Sequence, residues 1–327
     1  MEAAELGLTV VRGVQIAASL SAFGVAVFWS VVAAPVLRTA ESATRARIET
    51  AFRCSFRASL AVAVVAALIW LVAQATFMAE AESMADAEAA VWPVLTDTHF
   101  GHILGARLLL LLISALALGD GSKGARRALA AATAGLALIL QTWSTHAAAA
   151  EGIGRVILLG AESLHLLAAG AWLGSLAPLF IAVGALAPDQ GARAAQRFSP
   201  LGMLCVAILA GAAVAQGWIL IGGLPALLGT DYGRVALAKL ALLLVLLAFA
   251  AANRFRYAPA MHGSGGADAK RGLRRSIAVE TAVGLAAVFA ASLLADLPPA
   301  FHQQPGWPFA GNQTSVSWTI PISAGGG

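Results

Sequence analysis

RVILLGAESLHLLAAGAWLGSLAPLFIAVGAL, residues 155–186, is an apolar run broken only by Glu162 and His165 after its leading arginine. A bilayer core about 30 Å thick needs roughly 20 apolar residues of helix at 1.5 Å rise each, so this stretch is long enough to cross with tilt. A soluble core helix has no need of such length. Seven further runs of the same kind occupy residues 13–37, 58–78, 98–119, 128–149, 198–221, 232–253 and 276–296. The composition agrees. Of 327 residues, 59% are hydrophobic and 12% charged, against roughly 45–50% and about 25% in soluble domains, and the mean hydropathy is +0.80. These values exclude a cytosolic enzyme, a disordered chain and a coiled coil. The expected fold is an all-α polytopic membrane bundle of eight transmembrane helices. A single transmembrane domain is expected over 1–296, followed by a tail over 297–327.

Lysine and arginine set the orientation, because short basic connections stay on the cytoplasmic side. Sixteen of the 21 basic residues fall in alternate connections: Arg38 to Arg57, Lys123 to Arg127, Arg193 with Arg197, and Arg254 to Arg275. The opposite connection, 79–97, holds Glu80, Glu82, Asp86, Glu88 and Asp97 without a cation. Both termini are therefore expected outside the cytoplasm, which for a bacterial inner-membrane protein is the periplasm. The formal charge of +4 is read as a topology signal, with no nucleic acid as partner. Acidic residues precede the first run and no basic segment does, so that run is read as a span and not as a cleaved signal. Cys54 and Cys205, far apart, form no redox motif.

The chain also resembles itself. Thr98, Gly101 and Arg107 match Thr230, Gly233 and Lys239 at an offset of 132 residues; Trp29 and Pro35 match Trp172 and Pro178 at 143; Phe56 and Gln74 match Phe198 and Gln216 at 142. Two parallel four-helix repeats, about 1–150 and 151–296, follow from this. Arg107 and Lys239, being equivalent, are expected to share a structural role. Ser19 and Ala22 stand where Glu162 and His165 would repeat, so any site is asymmetric.

An ionisable side chain at bilayer depth is a functional candidate by default. Glu162 and His165 lie one helical turn apart on one face. Counted from Arg155, His165 is about 15 Å down the helix. His99 and His102 open the third span, His146 closes the fourth, and all face the outer half. Imidazole suits late transition metals and methionine thioether suits Cu(I), so copper is the natural ligand, with Met78, Met84 and His302 of the tail as additional donors. The bland alternatives are interfacial histidines bonded to headgroups or backbone. Glu280, five residues after Arg275, reads as an inner-interface carboxylate paired with a loop arginine. No nucleophile and base pair or HExxH appears, so no enzymatic activity is expected. The chain has no nucleotide-binding motif either, which leaves passive or ion-coupled flux.

The stretches THFGHILGARLLLLL, THAAAAEG, ESLHLLAAGAWLGSLAPL, FSPLGMLCVAILAGAAVAQGW, TDYGRVALAKLALLLVLLAFAAANRFR and LRRSIAVETAVG, in this order, resemble the CopD/PcoD family of bacterial copper resistance inner-membrane proteins. The resemblance implies a multi-span copper homeostasis protein that works with a periplasmic copper carrier of the CopC type and moves copper inward. The family's TxFGxxxxxR motif falls on Thr98, Phe100, Gly101 and Arg107, with His99 and His102 at its unspecified positions. Its THA histidine is His146, and its fifth-helix histidine is His165. The residue set carried forward as metal ligands is therefore His146, His165, Glu162, His99, His102, Met78 and His302. The alternatives are a non-transporting copper scaffold or sensor and a haem-binding electron carrier.

The orientation yields a direct expectation. In a variant lacking Cys54 and Cys205, a thiol introduced by Glu88→Cys should react with an impermeant maleimide added outside intact spheroplasts. One introduced by Arg45→Cys should react only after lysis. The reverse pattern would invert the bundle.

Overall fold

The structure, a computed structural model, describes residues 3–81, 83–118, 124–144, 151–263, 265–300 and 303, with side chains from Leu6 onward. Among these the regular structure is entirely helical. Helix α1 runs Ala3–Phe28 and continues through a π-helical turn, Trp29–Ala33, into Ala34–Leu37. α2 is Ser42–Met78, α3 Met84–Asp97, α4 His99–Ala117 and α5 Gly124–Gln141. α6 runs Gly152–Trp172 and passes through a 3₁₀ turn, Leu173–Ser175, into Leu176–Ala185. α7 is Pro188–Leu220 and α8 Leu224–Gly229. α9, Asp231–Ala252, continues through a π turn, Asn253–Tyr257, to Ala258–Ala260, and α10 is Gly266–Leu294.

Seven of these helices are long and apolar enough to cross a membrane: α1, α2, α4, α6, α7, α9 and α10. The eighth expected span, 128–149, overlaps α5 over 128–141. That helix includes Arg126 and Arg127 and ends at Gln141, and residues 145–150 lie outside the described set.

Four connections differ from the sequence reading. The basic segment 38–57 is mostly helix, because α2 starts at Ser42. Its 37 residues, about 55 Å at 1.5 Å each, exceed the bilayer core, so the arginine-bearing half projects beyond it. Arginine is unwelcome in lipid but is a good helix former, and hydropathy alone reads its exclusion as a loop. α7 does the same with Arg193 and Arg197, and α10 with Lys270 to Arg275. The acidic segment is also helical. Ser83 caps α3, accepting from the Asp86 backbone N–H while the Asp86 carboxylate accepts from the Ser83 N–H. That capping box was written in the sequence as Ser-x-x-Asp.

Three helices change pitch just before a proline. Pro35, Pro178 and Pro259 each lack an N–H, so the carbonyls of Val31, Gly174 and Phe255, four residues earlier, lose their helical donor. The π turn of α1, the 3₁₀ turn of α6 and the π turn of α9 contain these three carbonyls.

Packing follows one pattern in both halves. α1 packs on α2 as α6 packs on α7, and α4 on α5 as α9 on α10. α1 also meets α10 while α5 meets α6, which closes the halves on each other. The corners before α4 and α9 match bond for bond. Thr98 Oγ1 accepts from Gly101 N at 3.0 Å and donates to Val94 O at 2.5 Å; Thr230 Oγ1 accepts from Gly233 N at 3.0 Å and donates to Ala226 O at 2.6 Å. A Cβ on Gly101 would lie 2.1 Å from Val94 O, and on Gly233 2.2 Å from Leu227 O. The start of α1 and the end of α10 share a face: Asp296 accepts from Thr9 and from Arg12 at 2.5 Å each, and Arg12 lies over Trp70.

At the centre α1 and α6 touch backbone to backbone. A Cβ added to Gly24 would come within 2.2 Å of Gly174 C, and one on Gly174 within 2.0 Å of Leu20 O. Ser175 Oγ donates to Gly24 O at 3.1 Å. Small residues permit such approach in lipid, where contact and polar bonds replace the hydrophobic drive. Gly24→Val should therefore cost more than the roughly 1–3 kcal/mol of ordinary overpacking, since backbone cannot step aside. Its detergent-solubilised form should lose the monodisperse size-exclusion peak at a markedly lower temperature than wild type. Gly7→Val, where the added Cβ meets nothing within 4 Å, should not.

Candidate functional site

Four polar side chains come within electrostatic range of one another between α6 and α9. Glu162 and His165 are presented by consecutive turns of α6, both half-buried. Tyr232 and Lys239 come from the first and third turns of α9; Tyr232 is buried and Lys239 half-buried. Lys239 is within electrostatic range of both Glu162 and His165, and Tyr232 is within range of Glu162. Nδ1 of His165 is buried and has no hydrogen-bond partner among the described residues. An imidazole nitrogen left open beside a carboxylate is a donor available to a metal or a bound molecule.

Arg107 behaves differently from its repeat equivalent. It is 2% exposed and donates from Nε to Ala137 O at 3.2 Å, while Ser114 Oγ donates to Ala130 O at 2.8 Å, so both fasten α4 to α5. The expected structural role holds for Arg107. Lys239 instead lies within electrostatic range of Glu162 and His165, because α6 carries ionisable groups where α1 carries Ser19 and Ala22.

The remaining candidates are dispersed. His99 is exposed. His102 is exposed and its Nε2 bonds Thr96 O at 2.5 Å, at the C-terminal end of α3. Met78 and Met84 are exposed at the end of α2 and the start of α3. His146 and His302 lie outside the described residues. The residues flanking 145–150 are tied together, the Arg155 guanidinium lying 5.5 Å from the centre of the Trp143 ring. Among the described residues no group of three or more His, Cys, Asp or Glu side chains could hold a metal ion. A metal site built on His165 and Glu162 would thus draw on donors beyond them. A haem would need two deep histidines; of the described ones only His165 is half-buried within a span, His99, His102 and His262 being exposed.

Glu280 is buried in the bundle, and its hydrogen-bonding neighbours do not include a loop arginine. It is 1% exposed, accepts from Asn253 Nδ2 at 2.8 Å and has the Trp172 indole as its second hydrogen-bonding neighbour. Sequence spacing from Arg275 misled because helical rotation turns Glu280 inward while Arg275 faces out. The signal that could have found it is the Trp172 stripe shared with Glu162 and His165.

A bundle with seven apolar spans and an ionisable cluster inside it defines a polytopic membrane protein with an intramembrane polar site. Residues 1–156 match the family model for the N-terminal domain of copper resistance protein D-like proteins, and residues 192–294 match that of copper resistance protein D. The chain belongs to the copper resistance protein D family. It is 28% identical to the inner membrane protein YebZ of Escherichia coli over 64% of this chain and 72% of that protein. It is 26% identical to copper resistance protein D of Pseudomonas syringae pv. tomato over 76% of this chain and 84% of the relative. The copper transport protein CutJ of Bacillus subtilis is 26% identical over 49% of this chain and 29% of its own length. No solved structure matches.

The two equivalent cations separate by experiment. Arg107→Ala should remove a buried charge-assisted bond and leave a void, costing about 2–3 kcal/mol and lowering the apparent melting temperature in detergent. Lys239→Met should leave that temperature within a few degrees of wild type. Equal losses would return Lys239 to a structural role.

Proposed function

We propose that the protein binds copper in its periplasmic half and passes it across the inner membrane towards the cytoplasm. The observation that carries this is the open Nδ1 of His165 beside Glu162, inside a bundle of the copper resistance protein D family. His146, on the THA stretch that follows α5, completes the ligand set in this reading; His99, His102, Met78 and His302 serve at most as outer capture groups. Copper is the cargo, accepted from a periplasmic carrier of the CopC type. Relatives named for copper resistance and copper transport support the reading. The protein acts without enzymatic chemistry.

The proposed topology has eight spans in two parallel repeats, α5 being the fourth span, with both termini periplasmic. The matched Thr98 and Thr230 corners and the equivalent helix pairings support the repeat. The projecting arginine-rich ends of α2 and α7 support the orientation. A second reading, a copper-binding scaffold that does not transport, is favoured by the dispersal of the histidines among the described residues.

Loss of groups that merely support a metal ligand lowers affinity about 10–100-fold, so His165→Ala should lower Cu(I) affinity at least tenfold in competition with a colorimetric chelator. The same variant should abolish radioactive copper uptake into proteoliposomes. Binding lost with no flux in the wild type selects the scaffold; binding unaffected by His165→Ala and His146→Ala sinks both readings.

A further inference from the structure

Below the outer cluster, α6, α7, α9 and α10 enclose a cavity of about 270 Å³ lined by Trp172, Ser199, Met203, Asn253, Arg254 and Glu280 together with aliphatic side chains. Glu280 is the carboxylate in its wall. Its two neighbours, the Asn253 amide and the Trp172 indole, are neutral donors, so they orient the charge without cancelling it. Among the lining residues the other charged group is Arg254, and that guanidinium donates to Ser199 Oγ. α6 contributes Trp172 and Leu179 here, and α7 contributes Phe198, Ser199, Gly202, Met203 and Val206, none of them ionisable. α1 meets α10 at Thr9, Arg12 and Gly13, near its far end.

The cavity reaches the basic edge of the bundle. A neighbouring cavity of about 330 Å³ shares Ala195, Ser199, Arg254 and Phe255 with it and adds Gln196, which is exposed at that edge. Asn253 opens the π turn of α9, a distortion frequent at functional sites. Its Oδ1 is buried and has no hydrogen-bond partner among the described residues. One side chain thereby offers Glu280 two arrangements. The amide N–H₂ donates to the carboxylate, and after rotation about its last torsion the amide oxygen accepts from a carboxyl O–H.

We propose that Glu280 is a proton-exchanging carboxyl with access from the basic, cytoplasmic edge, and that Asn253 is the positioning residue that bonds both its states. The step is balanced with solvent alone. Hydronium gives a proton to a Glu280 oxygen and leaves as water, the carboxyl then donates to Asn253 Oδ1, and the reverse returns the proton. Holding an anion in a largely apolar wall has a desolvation cost that proton uptake removes. Trp172 lies seven residues along the helix from His165, about 10 Å by rise, so this station and the outer cluster adjoin through one helix. The proposal goes beyond the copper reading and depends on it only for the purpose of the proton.

The test uses the full chain in proteoliposomes without copper, so its failure is independent of any failure to bind or carry metal. Dicyclohexylcarbodiimide modifies carboxyls that are protonated in apolar surroundings. Peptide mapping should find Glu280 modified, with the yield falling at least tenfold from acid to alkaline pH. Infrared difference spectra of the wild type between those limits should show a carboxylic acid C=O band that is missing in Glu280→Gln. Asn253→Leu should displace the pH midpoint of labelling by keeping the carboxyl and its Trp172 neighbour while removing both arrangements of the Asn253 bond, an effect absent in Met203→Leu. A Glu280 unlabelled at every pH, or a wild-type spectrum without the band, overturns the proposal. So does a midpoint indifferent to Asn253→Leu, for the assigned role of that residue.

Discussion

The crossing of α1 and α6 at Gly24 and Gly174 brings two backbones together where no side chain fits, with Ser175 bonded to the Gly24 carbonyl. Every other helix is arranged about this contact. Because α1 and α6 are the first helices of the two halves, their close approach makes α5 a neighbour of α6 and α10 a neighbour of α1, so the pairs close on each other without a long connection. The pitch changes before Pro35 and Pro178 lie close to the crossing. They let each helix bend and still bury Trp29 and Trp172.

Around that frame the halves share architecture but differ in chemistry. Their threonine corners carry the same hydrogen bonds. Trp29 lies under the Arg127 guanidinium at 5.4 Å, whereas its counterpart Trp172 faces a carboxylate. Arg107 is spent on a carbonyl of α5, whereas Lys239 faces Glu162 and His165. In the second half Glu162 and His165 on α6 and Lys239 on α9 form one cluster, and Glu280 on α10 is a separate buried carboxylate. The first half has Ser19 and Ala22 where α6 carries Glu162 and His165.

Parts of this were legible in the chain. The apolar runs located the helices, since hydropathy over 20 residues is a local property, and the threonine corners were marked by their own spacing. The ends of α2, α7 and α10 were misplaced because charge ends a membrane span without ending a helix. α3 was overlooked although Ser83 and Asp86 announced its cap. Of the candidate ligands, Glu162 and His165 were legible as an i, i+3 pair in an apolar run. That His102 binds the Thr96 carbonyl depends on how α3 turns into α4, which residue spacing does not encode.

What the sequence by itself determined was a helical membrane protein, the depth and asymmetry of its charges, and its family kinship, because hydrophobic length, charge placement and motif order are properties of the linear chain. Only the tertiary structure decided which polar groups meet. Lys239 joins Glu162 and His165 across 74 residues or more, and Glu280 turns from the arginine five residues away to Trp172 and Asn253. The reason is geometric: helix rotation and crossing choose the partners of a side chain, and both are set by packing between segments far apart in the chain.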